Sequence, residues 1–406
     1  MTIKAPGGMP APPQWRIWPL YAAGFTTAFG SHGVAANLAA YTHGRHASVL
    51  ILGGLLALYD GAEIVLKPLF GSLADRIGGR PVLLGGLIGF AAASAVFALA
   101  DTPGLLWLAR LGQGAAASAF SPAAGALLAR LNPATRHGRA FGSYGFYKTI
   151  GYTLGPLLGG AIVTLGGHNG LSLLFTVMAA VAAAVAIWAG IAVPIAPPLP
   201  RARQTLLALA RRTTAGTFLR PTAALALAAA AISTGVGFLP LSGQAAHLGP
   251  LATGAAVSIL AGCATLTQPQ AGRALDAGRI TARAGITAGL AATAAGFAAA
   301  TIPGIGGLLL AAIGIGAGTG IITPLAFAAL AATTPAERLG QTMGAAEIGR
   351  ELGEAGGPLI TGAITAVATL TTAYAALAAL LALTPLALTR RPPTPAPPPD
   401  QPQQAE

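Results

Sequence analysis

Twelve stretches of roughly 20 mainly apolar residues follow one another along the chain, at about 17–40, 49–70, 81–100, 104–129, 140–165, 170–193, 221–242, 250–270, 282–301, 304–332, 342–366 and 370–389. Hydrophobic residues make up 54% of the sequence and charged residues 8%. A soluble domain carries roughly 25% charged residues, because its surface faces water. This chain cannot cover itself that way, so lipid is its solvent. In lipid every backbone polar group must be satisfied internally, which leaves helices or a closed barrel. The span lengths and the lack of strict alternation select helices. The sequence predicts an all-α membrane protein with twelve transmembrane helices.

The chain also repeats itself. Gly155-Pro156-Leu157-Leu158-Gly159-Gly160-Ala161-Ile162 returns 202 residues later as Gly357-Pro358-Leu359-Ile360-Thr361-Gly362-Ala363-Ile364. Pro68, Gly71 and Asp75 return at an offset of 201 as Pro269, Gly272 and Asp276. Pro133, Gly138 and Gly142 match Pro335, Gly340 and Gly344 at 202. A duplication of half the chain in so apolar a protein is the usual build of a secondary transporter. The expected layout is two pseudo-symmetric six-helix bundles, 17–193 and 221–389, joined by a cytoplasmic linker at 194–220. Within that linker Gln204–Arg212 reads as a short amphipathic helix on the inner leaflet. Residues 1–16 and 390–406, rich in proline, read as disordered cytoplasmic ends.

The net charge of +12 raises nucleic acid as a partner, and its distribution excludes that. With the N-terminus inside, 18 of the 23 Lys and Arg fall on inner segments and Arg45 alone falls outside. That asymmetry is the positive-inside signal of a multi-pass inner-membrane protein with both termini cytoplasmic. Cys263 stands alone, so no disulfide is available. The apolar run at 17–40 is too long for a signal-peptide core and has no clear cleavage site. No phosphate-binding Gly-Lys-Ser/Thr loop and no metal-ligand spacing occurs, so no cofactor and no metal are expected.

Between the second and third spans the chain reads Gly71-Ser-Leu73-Ala-Asp75-Arg76-Ile-Gly78-Gly79-Arg80. Gly71 and Gly78 permit tight turns and close backbone approach. Asp75 is placed to meet the positive N-terminal end of a helix from the other half. The second half carries a shortened copy, Gly272-Arg-Ala-Leu-Asp276-Ala-Gly278-Arg279. The fourth span holds Arg110-Leu-Gly112-Gln113-Gly114. The fifth ends Gly151-Tyr-Thr-Leu-Gly155-Pro156-Leu-Leu-Gly159-Gly160. The loop resembles the signature of the major facilitator superfamily, and the fourth-span and fifth-span runs resemble that superfamily's buried-arginine motif and the antiporter motif of its twelve-helix drug:proton exporters. The resemblance implies a cytoplasmic latch at Gly71, Asp75, Arg76, Gly78 and Arg80, with Asp276 in the second copy. It also implies a proton-transfer role for Arg110, and contact of the second span with the eleventh and the fifth with the eighth. Glycines 151, 155 and 159 recur every four residues and make a smooth stripe for a neighbouring helix. Pro156 removes a backbone donor and loosens its helix. Packing and hinging both remain open for this motif and for its copy at Gly357 and Pro358.

Charges at lipid depth cost ~2.5–3.5 kcal/mol each on insertion scales, so each asks for a partner or a cavity. The second span carries Asp60, Glu63 and Lys67 on one helical face, where the second half has Ala261, Ala264 and Gln268. The eleventh carries Glu347, Arg350, Glu351 and Glu354 on one face, and Lys148 in the fifth span matches Arg350. Burial favours a neutral carboxylic acid and a neighbouring cation favours the carboxylate. Asp60, Glu63, Glu351 and Glu354 are therefore the candidates for proton coupling, the first two foremost. The competing reading is a static salt-bridge network of Asp60, Glu63, Lys148, Glu351 and Arg350. Lys67 either joins the chemistry or snorkels to the inner surface.

In the superfamily the first, fourth, seventh and tenth spans line the central cavity. By that analogy Phe25, Phe29, His32, Asn37, Gln113, Phe238 and Phe327 line a mixed apolar and polar site. The expected function is proton-coupled export of a small organic molecule by a monomer working through alternating access. A proton symporter importing a sugar or organic acid is the alternative within transport. A non-transporting sensor or scaffold is the alternative outside it. A membrane enzyme is disfavoured, because no hydrophilic catalytic cluster lies near an interface.

Overall fold

The computed structural model describes residues 13–44, 49–99, 103–196, 215–247 and 250–389. No strand occurs among them. A short 3-10 turn, Gln14–Arg16, leads into α1, Trp18–Gly44, so the N-terminal segment expected to be disordered is ordered from residue 13. The first half continues with α2 (Val49–Ile77), α3 (Gly79–Ala98), α4 (Pro103–Ala117), α5 (Phe120–Leu131), α6 (His137–Gly166) and α7 (Gly170–Ala192). The second half holds α8 (Gly216–Ala245), α9 (Pro250–Asp276), α10 (Ala282–Ala299), α11 (Ile305–Thr333), α12 (Leu339–Val367) and α13 (Leu370–Thr389). The proposed amphipathic segment Gln204–Arg212 lies outside the described residues, as do both chain ends.

Local chemistry explains the breaks. The fourth span is interrupted between α4 and α5 because Pro122 has no N–H for the Ser118 carbonyl, and its ring crowds that turn. Gly78 ends α2 at φ 98°, and Gly278 follows α9 at φ 66°. Both adopt a left-handed conformation that a side chain would strain, at matching points of the two halves. Hydroxyls inside the helices bond back to their own turn, as Thr26 does to the Ala22 carbonyl at 2.8 Å and Thr293 to Gly289 at 2.8 Å, so they need no partner in lipid.

The two halves pack by the same rules. In the first, α1 lies on α6, α3 on α7, and α2 on the α4–α5 span; in the second, α8 lies on α12, α10 on α13, and α9 on α11. The glycine stripe of α6 serves this pairing. A Cβ on Gly151 would meet the Phe25 carbonyl at 2.6 Å, and one on Gly155 would meet the Phe29 carbonyl at 3.0 Å. Gly353 and Gly357 of α12 press equally on the backbone of Ala226 and Ala230 in α8. α6 and α12 run unbroken through Pro156 and Pro358, and the glycines beside these prolines face the neighbouring helix.

Large apolar side chains such as Leu157, Leu165, Ile191, Leu359 and Val367 point outward, as a lipid-facing surface requires. Five described helices qualify as membrane-crossing on length and composition alone. The others are assigned by the bundle they complete.

Between the halves, α2 meets α12 and α9 meets α6. These contacts gather at the end of the molecule that carries Arg76, Arg130, Arg136, Arg273 and Arg338. Gly71 abuts the Gly340 carbonyl, and Gly272 abuts the Gly138 carbonyl. The bundles are closed on each other at this arginine-rich end. Among the described residues, α1 and α8 are not joined by an extended contact like those of α2 with α12 and α6 with α9.

Candidate functional site

Two reciprocal caps join the halves at the arginine-rich end. The Asp75 carboxylate, at the end of α2, accepts from the backbone N–H of Gly340 at 2.7 Å and of Gln341 at 2.8 Å. Asp276, at the end of α9, accepts from Gly138 at 2.8 Å and Arg139 at 2.7 Å. Each acid belongs to one half and caps the first turn of a helix in the other, where unpaired N–H groups and the helix dipole favour an anion. Glycine at 71 and 340 lets the backbones touch. Gly71 lies inside α2, so close approach rather than a turn is its role, while Gly78 makes the turn. Arg76 is exposed, and Arg80 donates to the Gly190 carbonyl within its own half. Of the loop residues, Asp75 and Gly71 reach across.

Deeper along the same seam the charged faces of α2 and α12 meet. Lys67 is fully buried, with Nζ 2.7 Å from Glu63, 2.6 Å from Glu351 and 3.9 Å from Glu347. It does not snorkel; Pro68 and Gly344 close α2 against α12 on the arginine-rich side of it. Arg350 donates through Nε to Glu347 at 2.9 Å, through Nη1 to Glu354 at 2.6 Å, and through Nη2 to Glu351. Lys148 bonds the Ser121 hydroxyl at 3.1 Å and lies 3.8 Å from Glu347. Three cations thus face four carboxylates in one connected cluster spanning both bundles.

Asp60 is not in it. It shares the face of Lys67 but lies seven residues, about 10 Å, further along α2. There it is exposed, and no described side chain pairs with it. The static network imagined from the sequence included Asp60 and left out Lys67; the cluster has Lys67 at its centre.

Arg110 is buried against α2. Its guanidinium stacks over the Tyr59 ring at 4.1 Å and donates to the Leu55 carbonyl at 3.3 Å and to Gln113 at 3.2 Å. Gln113 passes its amide to Ser94 at 2.8 Å. These residues knit α2, α3 and α4 together, and no carboxylate lies within ion-pair distance of Arg110 among the described residues.

A cavity of about 550 Å³ lies between α6, α8, α9, α11 and α12. Its walls are largely apolar, with Tyr144, Tyr152 and Phe327 among them, and Lys148, Glu347, Arg350 and Glu354 bring the charged cluster to one side. Towards the arginine-rich end Phe141 of one half stacks on Phe327 of the other at 5.8 Å. Of the cavity residues expected from the sequence, Phe327 alone lines it among those described. Phe25 and Phe29 stack on each other and lie over α6, Phe238 packs beside Gly362, and Gln113 is occupied by Ser94. The side chains of His32 and Asn37 lie outside the described residues. The first and fourth spans are absent from the lining because the glycine stripe draws α1 tightly onto α6. The missed residues, Gln268, Thr149 and Tyr152 among them, sit on the fifth and eighth spans, whose contact the sequence anticipated without a cavity there.

Two six-helix bundles with matched internal pairings, joined across two equivalent seams, define a transporter fold of alternating-access type. The chain belongs to the Major Facilitator Superfamily, whose sequence pattern matches residues 20–263 and 222–406. It is a multi-pass membrane protein. Among similar proteins are the class H tetracycline resistance protein of Pasteurella multocida, 32% identical over 116 residues, or 29% of each chain. The puromycin resistance protein pur8 of Streptomyces alboniger is 40% identical over 118 residues, 29% of this chain and 21% of that one. The chain thus matches less than a third of the length of these curated relatives. The crystal structure of the human organic anion transporter MFSD10 superposes with a TM-score of 0.75 at 19% identity, covering 94% of this chain and 100% of that one. At that identity the likeness concerns the fold.

Proposed function

We propose that the protein exports a small organic molecule, of the kind its resistance-protein relatives are named for, in exchange for protons. The arginine-rich end faces the cytoplasm, which makes this conformation outward-facing and both termini cytoplasmic in the inner membrane. Residues 17–193 and 221–389 act as the two rocking bodies of a monomer, with 194–220 between them. The substrate occupies the cavity, and the molecule passes between two states of similar energy.

The observation that carries this reading is the cluster at the α2–α12 seam. It holds one more carboxylate than cations, it bridges both bundles, and the seam must part for the cytoplasmic end to open. A proton taken up by one of its acids, with Glu63 and Glu354 at its edges, neutralises the excess and weakens the tie between the halves. Asp60, in the outward opening, is the first acid a proton from outside meets. Glu351, Lys67, Lys148, Glu347 and Arg350 relay or balance the charge, and Arg110 holds α2 in register through Tyr59.

Proteoliposomes with an imposed pH gradient test this, with tetracycline and puromycin as substrates. Glu63→Gln and Asp60→Asn should each abolish gradient-driven flux while equilibrium binding persists. Native flux from both variants would remove the coupling assignment. Substrate moving with the protons rather than against them would make the protein an importer.

A further inference from the structure

Duplication makes the two seams between the halves comparable position by position. On α2, Asp60, Glu63 and Lys67 stand where α9 has Ala261, Ala264 and Gln268. On α12, Glu347 and Glu351 stand where α6 has Gly145 and Thr149, at the same offset of 202. One seam is filled with charge. In the other those side chains are missing, and the space they leave is part of the cavity, which all five α9 and α6 positions line.

At the place of the Lys67–Glu351 ion pair the second seam keeps a neutral bond. Gln268 donates through Nε2 to the Thr149 hydroxyl at 2.8 Å, and Thr149 donates to the Gly145 carbonyl at 2.9 Å. A Cβ on Gly145 would collide with the Gln268 amide, so glycine there is what allows the side chain to lie across α6. Gln268 is 4% exposed. This is a neutral side-chain hydrogen bond that crosses between the bundles.

The geometry points to the Gln268–Thr149 pair as the place where substrate is recognised and its presence is transmitted to both halves, for ligands carrying an uncharged donor–acceptor edge, such as a carboxamide, on a flat apolar body. This rests on the export reading only in taking the cavity as the substrate site. A glutamine amide presents donor and acceptor in one plane, and a carboxamide matches both. The apolar body packs beside the Phe141–Phe327 stack. A ligand that engages Gln268 draws it from Thr149 and so releases a neutral tie between the bundles at this seam. An analogue without the polar edge leaves Gln268 on Thr149 and gains neither bond, so it binds more weakly and does not loosen the tie.

Equilibrium binding to the purified full chain, without a gradient, tests the assignment with three fluorescent probes. These are pyrene-1-carboxamide, its N,N-dimethyl derivative, which keeps only the acceptor, and 1-isopropylpyrene, which keeps only the shape. Native protein should bind them in that order, about tenfold tighter at the first than at the last. Gln268→Leu should flatten the series. Thr149→Val should keep the order and tighten the carboxamide several-fold, because Gln268 is no longer engaged. A packing role would move all three probes together in both variants. A flat native series, no binding by any probe, or weaker carboxamide binding in Thr149→Val would overturn the proposal. None of these results bears on gradient-driven flux, and loss of that flux in Glu63→Gln would leave the probe series unchanged.

Discussion

Lys67 shows how much one side chain carries here. A fully buried ammonium is tolerable only because Glu63 and Glu351 sit 2.7 and 2.6 Å away. Removing one partner of a buried charge group leaves the others uncompensated, typically at ~3–5 kcal/mol. Lys67→Met should therefore lower stability in detergent by about that amount, measured by denaturant or thermal unfolding. Adding Glu351→Met should recover part of the loss. A single variant as stable as the native chain would mean the cluster adjusts its protonation freely. The sequence placed Lys67 on the right helical face and left its depth open, because a long side chain near a helix end reaches either water or a partner. Only the approach of α12, set by Gly344 against the Lys67 and Pro68 backbone, decides between them.

At the level of elements, the α2–α12 and α6–α9 contacts are pinned by an aspartate at each helix end. Asparagine keeps one acceptor but loses the charge and the second accepted N–H, a loss of about 1 kcal/mol at a helix N-terminus, roughly fivefold in the ratio of two states. Asp75→Asn and Asp276→Asn should each raise the fraction open at the arginine-rich end by about that factor, and the double variant by their product. Spin-label distances between the ends of α2 and α12 and between those of α6 and α9 would report it. Unchanged distances in both single variants would deny the caps their latching role. The contact of Asp75 with the other half was legible in the sequence, because the positive-inside pattern accounts for the arginines of the loop and leaves its acid without a cause. The cavity was not legible. The hollow on α9 and α6 is opened by Ala261, Ala264 and Gly145, residues with no chemical signal of their own. Their smallness acquires meaning only beside Asp60, Glu63 and Glu347, and only once the seams are seen to be equivalent. Family analogy assigned the lining to spans that carry Phe25, Phe29 and Gln113, which this cavity does not include, since α1 and α4 pack within their own bundle.

For the whole molecule, the twelve spans were readable because lipid permits so few alternatives, whereas the difference between the two seams is a property of assembly. If the bundles are self-contained bodies, residues 1–200 and 201–406 expressed together as separate polypeptides should co-purify through a tag on either one and bind ligand as the intact chain does. Failure of the two pieces to associate would show that the linker is needed for more than tethering. The caps make reassembly the expected result. Each half presents an aspartate and receives one, which is the isologous form of contact found in two-fold symmetric dimers. A six-helix ancestor pairing with its own copy would have closed by the same clasp before the coding sequence doubled. Fusion then freed the two copies to diverge, one seam toward charge and the other toward a hollow.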